Sequence, residues 1–95
     1  NIEDEYDTNE LILKQINNNV YVFSGKAEVS DINERFKLNI PDENDYKTIA
    51  GYILYKIQNI PIQGQEFTID GFKVKILKVK KNAIELIKIS KITNE

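Results

Sequence analysis

The 95-residue chain contains no cysteine, histidine, methionine or tryptophan. Without cysteine there is no disulfide framework and no thiol nucleophile. Without histidine the usual general base and the commonest metal ligand are missing. The four glycines, at 25, 51, 64 and 71, are too scattered to form a phosphate-cradling loop. No apolar run approaches the about 18 residues of a membrane-spanning helix, and no secretory leader is visible. Neither sign of charge dominates: 13 basic against 15 acidic residues give a net charge of −2. That balance supplies no global field for nucleic acid, so none is expected as a partner. No serine or lysine has a base partner marked by the sequence, so a non-catalytic domain is expected.

What remains is rich in Ile and Val, which suits strands. The length fits one domain. The chain begins at Asn1 and lacks Met, so it reads as a piece of something longer. Residues 1–10 read as an acidic linker or arm, with Glu3, Asp4, Glu5, Asp7 and Glu10. Residues 11–95 then form the domain.

The stretch from Gln65 to Ile92 reads as three antiparallel strands. Asp70-Gly71 is a strong hairpin turn, because a type I′ turn needs φ > 0 at both central positions. It places Ile69 opposite Phe72, Phe67 opposite Val74 and Glu66 opposite Lys75. A four-residue loop at Lys80-Lys81-Asn82-Ala83 places Val79 opposite Ile84, Lys78 opposite Glu85, Leu77 opposite Leu86, Ile76 opposite Ile87 and Val74 opposite Ile89. Side chains alternate along a strand, so Phe67, Ile69, Phe72, Val74, Ile76, Ile87 and Ile89 share a core face. Lys73, Lys75, Lys88 and Ser90 share the other. Glu66–Lys75 and Lys78–Glu85 fall opposite each other as ion pairs. Alternation slips at Ile76-Leu77 and, in matching register, at Leu86-Ile87. Leu77, Val79, Ile84 and Leu86 are therefore expected on the back face, covered by the chain itself or by a partner or second copy.

Upstream, Leu11–Ile16 and Val20–Ser24 form a hairpin around Asn17-Asn18-Asn19, and Gly25 ends it. Ser30 is placed to cap a helix running to about Leu38. A second helix spans Tyr46–Gln58, with Ile49, Ala50, Ile53, Leu54 and Ile57 as an apolar stripe. Asp42, Glu43 and Asp45 precede it, as first-turn residues or as ligands of a hard cation such as Mg²⁺ or Ca²⁺. Tyr46, Tyr52 and Tyr55 flank the stripe or form a contact surface. Gly51 marks a close approach, to the sheet or to a ligand. The expected architecture is α+β: two helices on one face of a largely antiparallel sheet, in the order β-β-α-α-β-β-β.

These pieces recur in one family. Asp4-Glu5-Tyr6-Asp7, then Val20-Tyr21-Val22-Phe23-Ser24-Gly25, Ile40-Pro41-Asp42-Glu43, Tyr46-Lys47-Thr48-Ile49-Ala50-Gly51, Ile60-Pro61, Gly64, Phe67 and Asp70-Gly71-Phe72 occur in that order. The chain resembles the CorC/HlyC transporter-associated domain from about Asp4 to Ile92. The resemblance implies a cytoplasmic accessory module that modulates magnesium or cobalt transport in a hemolysin-like membrane protein. It implies CBS repeats and a membrane domain upstream as partners, and brings no catalytic residues. It also implies kinship with an FAD-binding fold. FAD or an adenine nucleotide is the cofactor expectation that follows, with Thr48, Gly51 and Tyr52 as its candidate residues.

Overall fold

The computed structural model describes residues 11–92. The acidic arm assigned to residues 1–10 and the tail after Ile92 lie outside the described residues. Strand β1 is Leu13–Asn17 and β2 is Val20–Ser24. Helix α1 is Val29–Phe36 and α2 is Ile49–Ile57. Strands β3 (Glu66–Ile69), β4 (Phe72–Lys80) and β5 (Ala83–Lys91) follow. This is the expected α+β order. The sheet is antiparallel and five-stranded, in the order β1-β2-β5-β4-β3. The meander inferred from the sequence is therefore one side of the sheet, and β5 joins it to the first hairpin.

The inferred ladders hold at Ile69–Phe72, Phe67–Val74, Glu66–Lys75, Val74–Ile89, Ile76–Ile87 and Val79–Ile84. Asp70 and Gly71 have φ of 52° and 85°, as a type I′ turn requires. The second turn is tighter than expected: Lys80 pairs with Ala83, and only Lys81 and Asn82, with φ of 52° and 63°, lie between. Phe72, Val74, Ile76, Ile87 and Ile89 are buried, with Phe67 half-buried against them.

The ladder does slip here, but not in matching register: Leu77 of β4 and Glu85 of β5 are each left without a ladder partner, so Leu77 does not face Leu86. Lys78 pairs with Leu86 instead of Glu85, so the ladder is irregular in both strands, with Leu77 the extra residue in β4 and Glu85 the extra residue in β5. A bulge displaces the pleat. Ile84 consequently joins the core at 4 % exposure, and Val79 packs against it. Neither belongs to an exposed back patch. Leu77 and Leu86 are half-buried. Glu66 lies 3.6 Å from Lys73, the diagonal neighbour, rather than bridging to Lys75.

Both helices begin from one short pairing. Glu28 and Thr48, their N-caps, form an antiparallel bridge. Val29 N–H donates to the Lys47 carbonyl and Ile49 N–H to the Ala27 carbonyl, at 3.0 and 2.8 Å. The first helix therefore starts at Val29 without a side-chain cap, and Ser30 is inside it. It ends at Phe36, before Leu38, because Lys37 turns left-handed (φ 57°) and the Asn33 amide clamps both polar groups of Ile40 at 2.8 Å. Leu38 and Ile40 then enter the core from the loop. Phe36 packs on Tyr21 and Phe23 of β2, with ring centroids 5.3 and 5.6 Å apart.

Lys81 occupies left-handed backbone without the small side chain that tolerates it, at a cost of about 1 kcal/mol. Replacing Lys81-Asn82 by Asn-Gly is expected to stabilise the domain by about 1 kcal/mol. Urea unfolding followed by circular dichroism would read this as a higher midpoint at unchanged slope.

Candidate functional site

Strand β2 leaves the sheet at Gly25. Its N–H donates to the Glu85 carbonyl of β5 at 2.9 Å, and its carbonyl accepts from Ala50 N–H at 3.0 Å. A Cβ at this position would sit 1.9 Å from the Ile84 carbonyl oxygen. Only glycine fits so close an approach of two backbones. Around this junction lies a cleft of about 440 Å³. Ile12, Ala50, Leu54, Ile84 and Leu86 supply its apolar lining, and Ser24, Lys26, Thr48, Lys78, Asn82 and Glu85 its polar rim. Ser24 is buried and its hydroxyl accepts from Ile12 N–H at 3.0 Å.

The three residues assigned to a ligand do not share the cleft. Thr48 lines the cleft, while Gly51 and Tyr52 do not. The first amides of α2 are also already used. Ile49 N–H goes to Ala27, Ala50 N–H to Gly25, and Gly51 N–H to the Thr48 hydroxyl at 3.1 Å. A helix start normally leaves such donors free for an anion; here the chain's own backbone and cap take them. Gly51 makes room for Tyr46, whose Cβ would lie 3.2 Å from an added methyl.

Tyr52 is 1 % exposed, and its hydroxyl donates to Asp70 at 2.7 Å. Lys56 reaches the same carboxylate oxygen at 3.3 Å. Helix α2 is thereby tied to the β3–β4 turn. Burial, reinforced by the hydrogen bond to Asp70, pushes the Tyr52 hydroxyl far above its ordinary value. That hydrogen bond, with help from Lys56 and against the cost of partial burial, holds Asp70 below the usual carboxylate range. No spacing rule links residues 52 and 70, so the sequence alone did not disclose this pair.

Asp42, Glu43 and Asp45 lie in an exposed loop that Tyr46 closes by donating to the Pro41 carbonyl. Helix α2 starts at Ile49 rather than Tyr46, so its first turn holds no acidic residue. Thr48 is extended, committed to its bridge with Glu28, and this delays the helix. Among the described residues, no group of three acidic side chains is placed to hold a metal ion. Asp45 instead acts on Tyr55, raising its hydroxyl chiefly through a hydrogen bond. Of the three tyrosines, Tyr46 and Tyr52 are core residues with rings 5.4 Å apart, and Tyr55 is 41 % exposed. Among the described residues, no helix is long and apolar enough to cross a membrane.

Residues 14–93 match the family described as the transporter associated domain, CorC_HlyC. The magnesium and cobalt efflux protein CorC of Buchnera aphidicola (subsp. Baizongia pistaciae) is 32 % identical over 90 residues, covering 95 % of this chain and 32 % of that protein. The UPF0053 inner membrane protein YfjD of Escherichia coli K12 is 33 % identical over 73 residues, covering 77 % of this chain and 17 % of that protein. The chain thus spans a third or less of these relatives. A crystal structure of a conserved Haemophilus influenzae protein of unknown function superimposes with a TM-score of 0.74 at 31 % identity, covering 88 % of this chain and all of that one.

The folded pKa of Asp70 lies below its unfolded value. Its bond to Tyr52 therefore stabilises the fold above about pH 4 and loses that contribution as pH falls further. Tyr52→Phe is expected to cost about 1–2 kcal/mol at neutral pH, and the gap to wild type should narrow in acid. Tyr55→Phe, at an exposed hydroxyl, should leave the unfolding midpoint close to that of wild type. Urea titrations of the three proteins across pH would show whether the gap closes.

Proposed function

From the chain's membership of the CorC_HlyC transporter-associated domain family, we propose that it is a non-catalytic accessory domain that modulates magnesium or cobalt efflux by a larger membrane protein. The carrying observation is the pairing of two coverages. The family match takes in residues 14–93, nearly the whole chain. Yet the chain corresponds to only 32 % of a relative named as an efflux protein. The transport path then lies elsewhere in the protein, and this domain acts on it. On this reading its neighbours are CBS repeats and a membrane domain, and it sits on the cytoplasmic side. Pairing with a second copy would fall to Leu77 and Leu86, since Ile84 is in the core.

The test is a domain exchange. The corresponding domain of an E. coli CorC protein is deleted, or replaced by residues 11–95 of this chain, and growth is followed under rising cobalt. The deletion is expected to change cobalt tolerance and the exchange to restore it. A deletion with unchanged tolerance, or a well-expressed chimera no better than the deletion, would overturn the reading.

A second reading is that the domain binds FAD or an adenine nucleotide. The cleft beside Gly25 supports it, because about 440 Å³ with an apolar lining and a polar rim suits a small organic ligand. The occupied amides of α2 direct such a ligand's phosphates away from the helix start. Saturating FAD, AMP or ATP should raise the melting temperature by about 4 °C or more if one of them binds. No shift with any of the three would remove this reading.

A further inference from the structure

Both helices cover the face of the sheet that carries Tyr21, Phe23, Val74, Ile76, Ile87 and Ile89. The opposite face carries the alternate residues. Along it the strand registers align Lys14 with Val22, Val22 with Lys88, and Lys88 with Lys75. Lys73 and Ser90 lie side by side in a neighbouring row. Lys75 and Lys88 are thus directly opposed, an arrangement of like charges that weakens a sheet. Glu66, opposite Lys75 in the ladder, turns to Lys73 instead. Among the described residues, no carboxylate lies within ion-pair distance of Lys14, Lys75 or Lys88. Val22, half-buried, lies between Lys14 and Lys88, and Val20, also half-buried, lies beside Ser90. The chain as a whole has a net charge of −2, so this positive field is local to one face.

We propose that the open face of the sheet, through Lys14, Lys73, Lys75 and Lys88, docks on an anionic lipid surface. The proposal rests on the reading of the domain as part of a membrane protein. The face is a sheet surface rather than a groove, and a broad surface of this kind suits an extended planar partner. The cleft beside Gly25 is a separate feature. Lysines close to an anionic leaflet are attracted to it, and valines among them suit the interface between headgroups and acyl chains. An anionic surface would also relieve the repulsion between Lys75 and Lys88. It is strongest within a Debye length of the bilayer, so salt should weaken the docking.

The experiment is vesicle flotation of the 95-residue chain, with phosphatidylcholine vesicles and with mixed phosphatidylcholine–phosphatidylglycerol vesicles, at low and high salt. The chain is expected to float only with the mixed vesicles, and less at high salt. Lys75→Gln/Lys88→Gln should weaken that binding by about ten-fold or more. Lys37→Gln/Lys47→Gln, which removes as much charge beside the helices, should leave it unchanged. Removing an opposed like-charge pair should not lower the melting temperature, so a thermal scan separates lost binding from lost folding. Absence of flotation with mixed vesicles, or an equal loss in both double variants, would overturn the proposal. So would Lys75- and Lys88-dependent binding to polyglutamate without flotation, which would give the face to an acidic polypeptide. Flotation with a failed domain exchange would refute the transport role while keeping the docking.

Discussion

The fold depends on how closely β2 can pass β5 and then meet α2. At Gly25 one residue hydrogen-bonds to both, through its N–H to Glu85 and its carbonyl to Ala50. The approach leaves no room for a Cβ beside the Ile84 carbonyl. From there the chain has only Lys26 and Ala27 before the Glu28–Thr48 bridge sets both helix starts. The sheet order, the helix positions and the cleft all follow from that crossing. Buried backbone groups must find partners, and here the partners for the first amides of α2 come from Ala27, Gly25 and Thr48 rather than from an outside ligand.

What could be read from the sequence was what a period of two and a glycine turn encode. Asp70-Gly71 fixed one ladder, and the alternation of Phe72, Val74, Ile76, Ile87 and Ile89 fixed the core face, because a one-residue slip would expose all of them. The sheet order could not be read. Nothing local tells β5 to pair with β2, and the contact joins residues as far apart as Tyr21 and Ile89. The bulge that carries Ile84 inward was visible as a break in alternation, but a break does not say which side the pleat resumes on. Helix boundaries failed for a different reason. Ser30 has the chemistry of a cap and Tyr46 sits at the head of the apolar stripe, but the bridge between Glu28 and Thr48 decides where the helices begin.

The candidate site was less legible still. Of Thr48, Gly51 and Tyr52, only Thr48 reaches the cleft: it is the extended N-cap, whereas Gly51 has no side chain and Tyr52 is buried with its hydroxyl on Asp70. The acidic loop looked like a cation site by composition, yet its carboxylates act on tyrosine hydroxyls. The lysines of the meander were placed on the correct face by alternation. Their alignment with Lys14 required the β2–β5 pairing, which no local pattern reveals.

The central position of β5 bears on how the domain acquires its structure. It is the last of the strands to leave a ribosome, yet it joins the two hairpins. Until it emerges, β2 and β4 each present an unpaired edge, and the apolar side chains of both hairpins lack half of their neighbours. Partly made chains of this kind invite association with one another. Cooperative closure should therefore wait until the whole domain has emerged, in a single step that inserts one strand between two waiting ribbons.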